Sequence, residues 1–161
     1  MGAQYRFVDT WTVPAPVDEV YDVVGDTLRY PDWWGASFLE VTGDDGPPRP
    51  GQRADVVARG FLPYRIRWTG VVREADPPNG FTIDLSGDFE GWGRWTLTPD
   101  GDGTRAELDW RPEVNKPLIR YLTPVLRPLF AKNHYWAMDR GQEGILRLIE
   151  RRRAGAGTPA G

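Results

Sequence analysis

Residues 64–112 read YRIRWTGVVREADPPNGFTIDLSGDFEGWGRWTLTPDGDGTRAELDWRP, and the spacing inside this stretch decides the fold. Tyr64, Ile66, Trp68 and Val72 fall on one face, with Arg65, Arg67, Thr69 and Arg73 on the other. Phe81, Ile83 and Leu85 alternate with Thr82 and Asp84, and Trp95 and Leu97 follow the same rule. Ala106, Leu108 and Trp110 then alternate with Arg105, Glu107, Asp109 and Arg111. A period of two with one polar face marks half-buried strands. The turns DPPNG (76–80), GDFEG (around 87–91) and PDGDG (99–103) are short, so successive strands must run antiparallel.

Upstream, Leu39 and Val41 precede the turn-rich GDDGPPRPG (43–51), after which Ala54, Val56 and Ala58 alternate with Arg53, Asp55 and Arg59. The first strand places Tyr5, Phe7, Trp11 and Val13 on one face and stops at Pro14 and Pro16. Asp9 falls on that same face, where a carboxylate needs a partner or an edge. Val17, Val20, Tyr21 and Val24 recur at helical spacing until Gly25. Residues 27–34, TLRYPDWW, read as one more helical turn broken by Pro31, which disfavours a helical Tyr30.

Downstream the period changes to that of a helix. Pro117, Pro124 and Pro128 each interrupt a helix interior, so residues 116–127 read as a short helical or irregular lead-in. The long final helix is expected from near Pro128 to about Arg152, with an apolar stripe of Phe130, Ala137, Met138, Gly141, Ile145 and Leu148. His134 lies inside that stripe, and Lys132, Asp139 and Glu143 lie opposite. Residues 1–152 form a single expected domain, and 153–161, charged and then small, an expected flexible tail.

Composition narrows the function. At 161 residues the chain suits one domain that buries a sizeable core. Twenty Lys and Arg against 23 Asp and Glu give a net charge of −3, which supplies no general attraction for nucleic acid. With no cysteine and one histidine, disulfides, thiol chemistry and thiolate metal sites are excluded, and no metal or cofactor is expected. No apolar run is long enough to span a membrane, and MGAQYRFVDTW lacks the layout of a secretory signal, so a soluble cytoplasmic chain is expected. The eight Trp, six Tyr and six Phe stand out, because rings in that number either fill a core or line an apolar cavity.

The element order is one strand, two short helices, about six further antiparallel strands and one long helix. The fold class is therefore α+β, a curved antiparallel sheet of about seven strands wrapped around a C-terminal helix. The segments TWTVPAPVDEVYDVV, PDWWGAS, RIRWTGVV, SGDFEGWGRW and NHYWAMDRGQEGILRLIE resemble the helix-grip fold of the START and birch-pollen-allergen-like (SRPBCC) superfamily. Within it the chain looks most like the bacterial polyketide cyclase/dehydrase and lipid transport proteins, across residues 4 to 152. The resemblance implies a hydrophobic small molecule, such as a lipid or a polyketide, held in a cavity under the long helix.

Candidate residues follow from position. Trp68, Trp95 and Trp110 occupy inward positions of three strands, and Trp33 sits with Trp34 in the loop before the second strand. With Phe130 and Met138 on the helix stripe, they are the expected ligand-binding residues. His134, whose unperturbed pKa lies near neutrality, is either an acid/base group or a satisfied core histidine, and Asn133 beside it could orient a ligand carbonyl. Three readings result: a binding or carrier module, a cyclase or dehydratase using His134, and a scaffold that takes a protein segment in the same groove. Arg65 and Arg67 read as solvated strand residues, Arg94 is open, and Arg140 reads as a salt-bridge partner. Asp88 and Glu90 read either as an acid/base pair or as ordinary hairpin carboxylates. Phe130 and Leu126 are placed to close a lid or to form a homodimer contact.

Overall fold

A computed structural model describes residues 3–61, 65–114 and 117–156. In chain order it contains β1 (Ala3–Gln4), β2 (Phe7–Val13), α1 (Val17–Gly25), a 3-10 turn (Thr27–Arg29), α2 (Tyr30–Trp33), β3 (Phe38–Gly43), β4 (Arg53–Ala58), β5 (Ile66–Asp76), β6 (Gly80–Gly87), β7 (Glu90–Asp100), β8 (Gly103–Val114) and α3 (Pro117–Ala156). The sheet is antiparallel throughout, in the order β1-β8-β7-β6-β5-β4-β3, with β2 also paired to β8. β1 and β2 form one edge interrupted at Tyr5 and Arg6, across which the Tyr5 amide still donates to the Pro112 carbonyl at 3.0 Å. Counted as one, they make the seven strands of a helix-grip fold.

The alternation seen in the sequence is the alternation of burial. Phe7, Trp11 and Val13 face inward from β2, Leu85 from β6, Trp95 and Leu97 from β7, and Ala106 and Leu108 from β8. Register shifts at Phe38/Glu40 and between Val72 and Glu74 put extra residues into β3 and β5. Such irregularities bend a strand and increase its twist, which curls the sheet toward the helix.

α3 is held tightly over its second half. At Gly141 an added Cβ would lie 2.4 Å from the Trp34 ring and 2.7 Å from the Trp11 ring, and at Gly144 it would lie 1.8 Å from the Trp33 carbonyl oxygen. Glycine at these two places lets the helix seat directly on α2 and on the indoles beneath it. Met138, Ile145 and Ile149 complete that contact within a core containing Trp11, Trp33, Trp34, Trp95 and Leu108. Tyr30 is fully enclosed there and its hydroxyl donates to the Val24 carbonyl, while burial pushes the phenol pKa well above its ordinary value.

Three expectations change. Pro31 opens α2 rather than breaking it: Tyr30 is helical (φ −51°, ψ −40°), and a proline in the first turn forfeits no intrahelical bond. The expected lead-in at 116–127 is instead part of α3, which runs from Pro117 with Pro124 and Pro128 inside it. Both interior prolines are exposed, so water can reach the carbonyls their missing N–H groups leave without an intrahelical donor. α3 also continues past Arg152 to Ala156; Arg152 and Arg153 reach Glu19 of α1 at 3.7 and 3.5 Å, and Arg153 donates to the Pro14 carbonyl. Tyr64 and residues 157–161 lie outside the described residues.

Candidate functional site

Where the second half of α3 is clamped, the first half rests on the β1–β2 edge, through Phe130 on Tyr5 and His134 on Asp9 and Phe7, and stands away from the strands beyond it. Between them lies a cavity of about 580 Å³. α3 contributes Leu126, Phe130, Asn133, His134 and Met138 to its wall, and the sheet contributes Trp68, Leu108 and Trp110. Trp34 closes one side, its indole N–H donating to the Ala137 carbonyl of α3 at 2.8 Å. The lining is predominantly apolar, with polar groups from Arg59, Arg65, Asp88, Asn133 and His134.

Local backbone chemistry explains the shape. An added Cβ at Gly93 would meet the Trp110 ring at 2.6 Å, and one at Gly70 would meet the Trp68 ring at 3.3 Å. The two indoles lie over strand glycines that make room for them, 5.5 Å apart and edge to face, with Phe89 about equally near both. Asn133 fills the space over Gly60, where a Cβ would fall 1.9 Å from its Oδ1, so the segment after β4 is packed against α3.

His134 is joined to Asp9, with Nε2 and Oδ2 2.6 Å apart and each side chain 13% exposed. A carboxylate oxygen accepts, so Nε2 is the donor to Asp9 and Nδ1 is the ring nitrogen this hydrogen bond leaves over. Phe7 stacks on the imidazole at 4.1 Å between centroids, which fixes the ring plane. Asp9 thus finds the partner its place on the apolar face of β2 demanded.

The expected site residues divide. Trp68, Trp110, Phe130, Met138, Asn133 and His134 are together on the cavity wall. Trp33 is not among the lining residues: it points into the core against Trp11 and Tyr30, and its neighbour Trp34 takes the cavity position. Trp95 lies deeper, on a separate small chamber, because it stands opposite Phe81 and Leu108, farther from the β6–β7 turn than Gly93, the partner of Trp110. Arg65 precedes β5 rather than belonging to it, so strand alternation does not govern it, and it lines the cavity. Arg94 is outside the cavity, bonded to Thr82 and Glu74, and Arg140 pairs with Glu143. Asp88 accepts from the Arg67 amide across the hairpin, whereas Glu90 is exposed and does not line the cavity. Among the described residues no cluster of three or more His, Asp or Glu side chains is placed to hold a metal. No described helix is long and apolar enough to cross a membrane.

A curled antiparallel sheet gripping one long helix, with an apolar hollow between them, defines the helix-grip class. The chain belongs to the polyketide cyclase / dehydrase and lipid transport family, which matches residues 4–149. Among solved structures, the ZhuI aromatase/cyclase of Streptomyces sp. R1128 is similar at 19% identity and a TM-score of 0.77, over 98% of this chain and 100% of that one. The protein TTHA0849 of Thermus thermophilus has 24% identity and a TM-score of 0.69, over 97% and 100% of the two chains. A START superfamily protein of Mycobacterium smegmatis has 18% identity and a TM-score of 0.68, over 89% and 98%. At these identities the likeness is one of fold. No curated protein matches the chain.

Proposed function

We propose that the protein binds a hydrophobic small molecule, a lipid or an aromatic polyketide-like compound, in the cavity between sheet and α3. The observation that carries this reading is the cavity of about 580 Å³, walled by Trp34, Trp68, Trp110 and aliphatic side chains. Its size falls within the ~300–1,000 Å³ of small-molecule sites, and a few convergent polar groups on an apolar wall are the usual means of orienting such a ligand. Titrating the protein with a panel of fatty acids and polycyclic aromatics tests it, with indole fluorescence as the readout. Saturable quenching that weakens in Trp68→Ala supports the reading; a flat response across the panel refutes it.

A second reading is favoured by one observation, the Asp9–His134 pair. A histidine oriented by a carboxylate at one ring nitrogen, with the other nitrogen not engaged by that bond, is an arrangement suited to general acid/base work. In that reading the protein is a cyclase or dehydratase type of enzyme, in which the cavity folds a poly-carbonyl chain, His134 moves a proton and Asn133 orients a carbonyl. Pre-orienting the chain would itself lower the barrier by several kcal/mol. His134→Ala is then expected to abolish turnover while leaving ligand affinity within a few-fold; unchanged turnover removes His134 from the mechanism.

A further inference from the structure

Behind the main cavity lies a second, smaller chamber of about 60 Å³, bounded by Val72, Phe81, Ile83 and Trp95 on the sheet and by Tyr30 of α2. Four residues border both spaces: Trp34, Leu108, Trp68 and Trp110. They are the wall between the two. Trp34 is fixed by its hydrogen bond to α3, and Leu108 is part of the core. Trp68 and Trp110 are held differently. Among the described residues neither indole N–H has a hydrogen-bond partner, and the rings are held by packing alone: over Gly70 or Gly93, edge to face with each other, against Phe89, and, for Trp68, against Phe38.

We propose that the Trp68–Trp110 pair is a partition that sets how long a ligand the protein accepts, with the inner chamber closed off behind it. This rests on the ligand-cavity reading above and says what limits it. The wall is built where space remains on its far side: on the same measure of volume a single water needs roughly 10–15 Å³, so the inner chamber has room for several atoms. It is also built from two rings whose position depends on glycine, so the wall can be moved in either direction by one substitution. Shortening Trp110 joins the two spaces. Adding a methyl at Gly93 pushes the Trp110 ring off β7 and into the main cavity, because the clash at 2.6 Å is with the ring and not with backbone. A solid core would give neither result.

The test is a length series. Saturated fatty acids of increasing chain length, and linear aromatic carboxylic acids of increasing ring number, are mixed with the full-length protein, and the bound species are weighed by native mass spectrometry. The wild type is expected to retain members up to a cut-off. Trp110→Val should move that cut-off to longer members, each further methylene that becomes buried raising affinity about fourfold. Gly93→Ala should move it to shorter ones, and it also serves if Trp110→Val does not fold. A wild type that retains members of either series while both folded variants keep its cut-off overturns the partition alone. A wild type that retains no member of either series overturns the ligand-cavity reading on which the partition depends.

Discussion

Gly144 is the residue at which two effects of opposite sign can be weighed. Alanine is the better helix former by about 1 kcal/mol, so helix propensity alone predicts that Gly144→Ala stabilises. Its Cβ, however, would lie 1.8 Å from the Trp33 carbonyl oxygen, a backbone atom that cannot rotate away. Overpacking of this kind costs about 1–3 kcal/mol, so the substitution is expected to lower the urea midpoint despite the gain in propensity. Asp9 allows a similar comparison. Asp9→Ala leaves the His134 N–H without its acceptor and is expected to cost about 1–3 kcal/mol, measured by urea unfolding. Asp9→Asn, whose amide oxygen still accepts, should lose less. In the sequence each of these two residues was visibly misplaced, an acid on an apolar strand face and an imidazole in an apolar helix stripe. Joining them required knowing that β2 lies under α3, a contact across 125 positions that no local pattern contains.

α3 shows what local pattern can and cannot settle at the scale of one element. Its apolar stripe from Phe130 to Leu148 was legible, as were the strands, because period and turn chemistry act over a few residues. The continuation back to Pro117 was not legible, because proline rules describe an isolated helix and these prolines sit on an exposed side of one anchored further along. That account makes a prediction. Pro128→Ala restores a backbone donor at an exposed position; the intrinsic gain of about 3 kcal/mol is offset by the greater freedom alanine gives the unfolded chain, about 0.4–1 kcal/mol. A net stabilisation of about 2 kcal/mol is expected, together with slower amide hydrogen exchange over residues 125–132. No change in either would mean that this part of α3 is helical without contributing to stability. The choice between Trp33 and Trp34 was equally out of reach: adjacent residues at the end of a four-residue helix diverge, and only the seat of α3 decides which indole meets the cavity.

Over the whole molecule, the grip is asymmetric, tight where Gly141 and Gly144 admit α2 and open where α3 leaves the sheet. Such a protein has apolar wall that the fold alone does not cover, and a ligand that covers it stabilises the native state by mass action. At a free concentration one hundred times its Kd, a ligand adds about 2.7 kcal/mol. For a chain of this length each kcal/mol raises Tm by about 2–4 °C, so saturation should raise it by roughly 5–11 °C. Ionic strength separates the two kinds of contact the cavity wall offers. Burial against Trp34, Trp68 and Trp110 is insensitive to salt, whereas attraction of an acidic ligand to Arg59 and Arg65 is screened as the Debye length falls to ~3 Å at 1 M. The thermal shift given by a neutral polycyclic ligand is therefore expected to persist in 1 M salt, and that of a carboxylate ligand to shrink only in part. A shift that disappears for both would place the binding energy on the arginines at the wall instead of on the indoles.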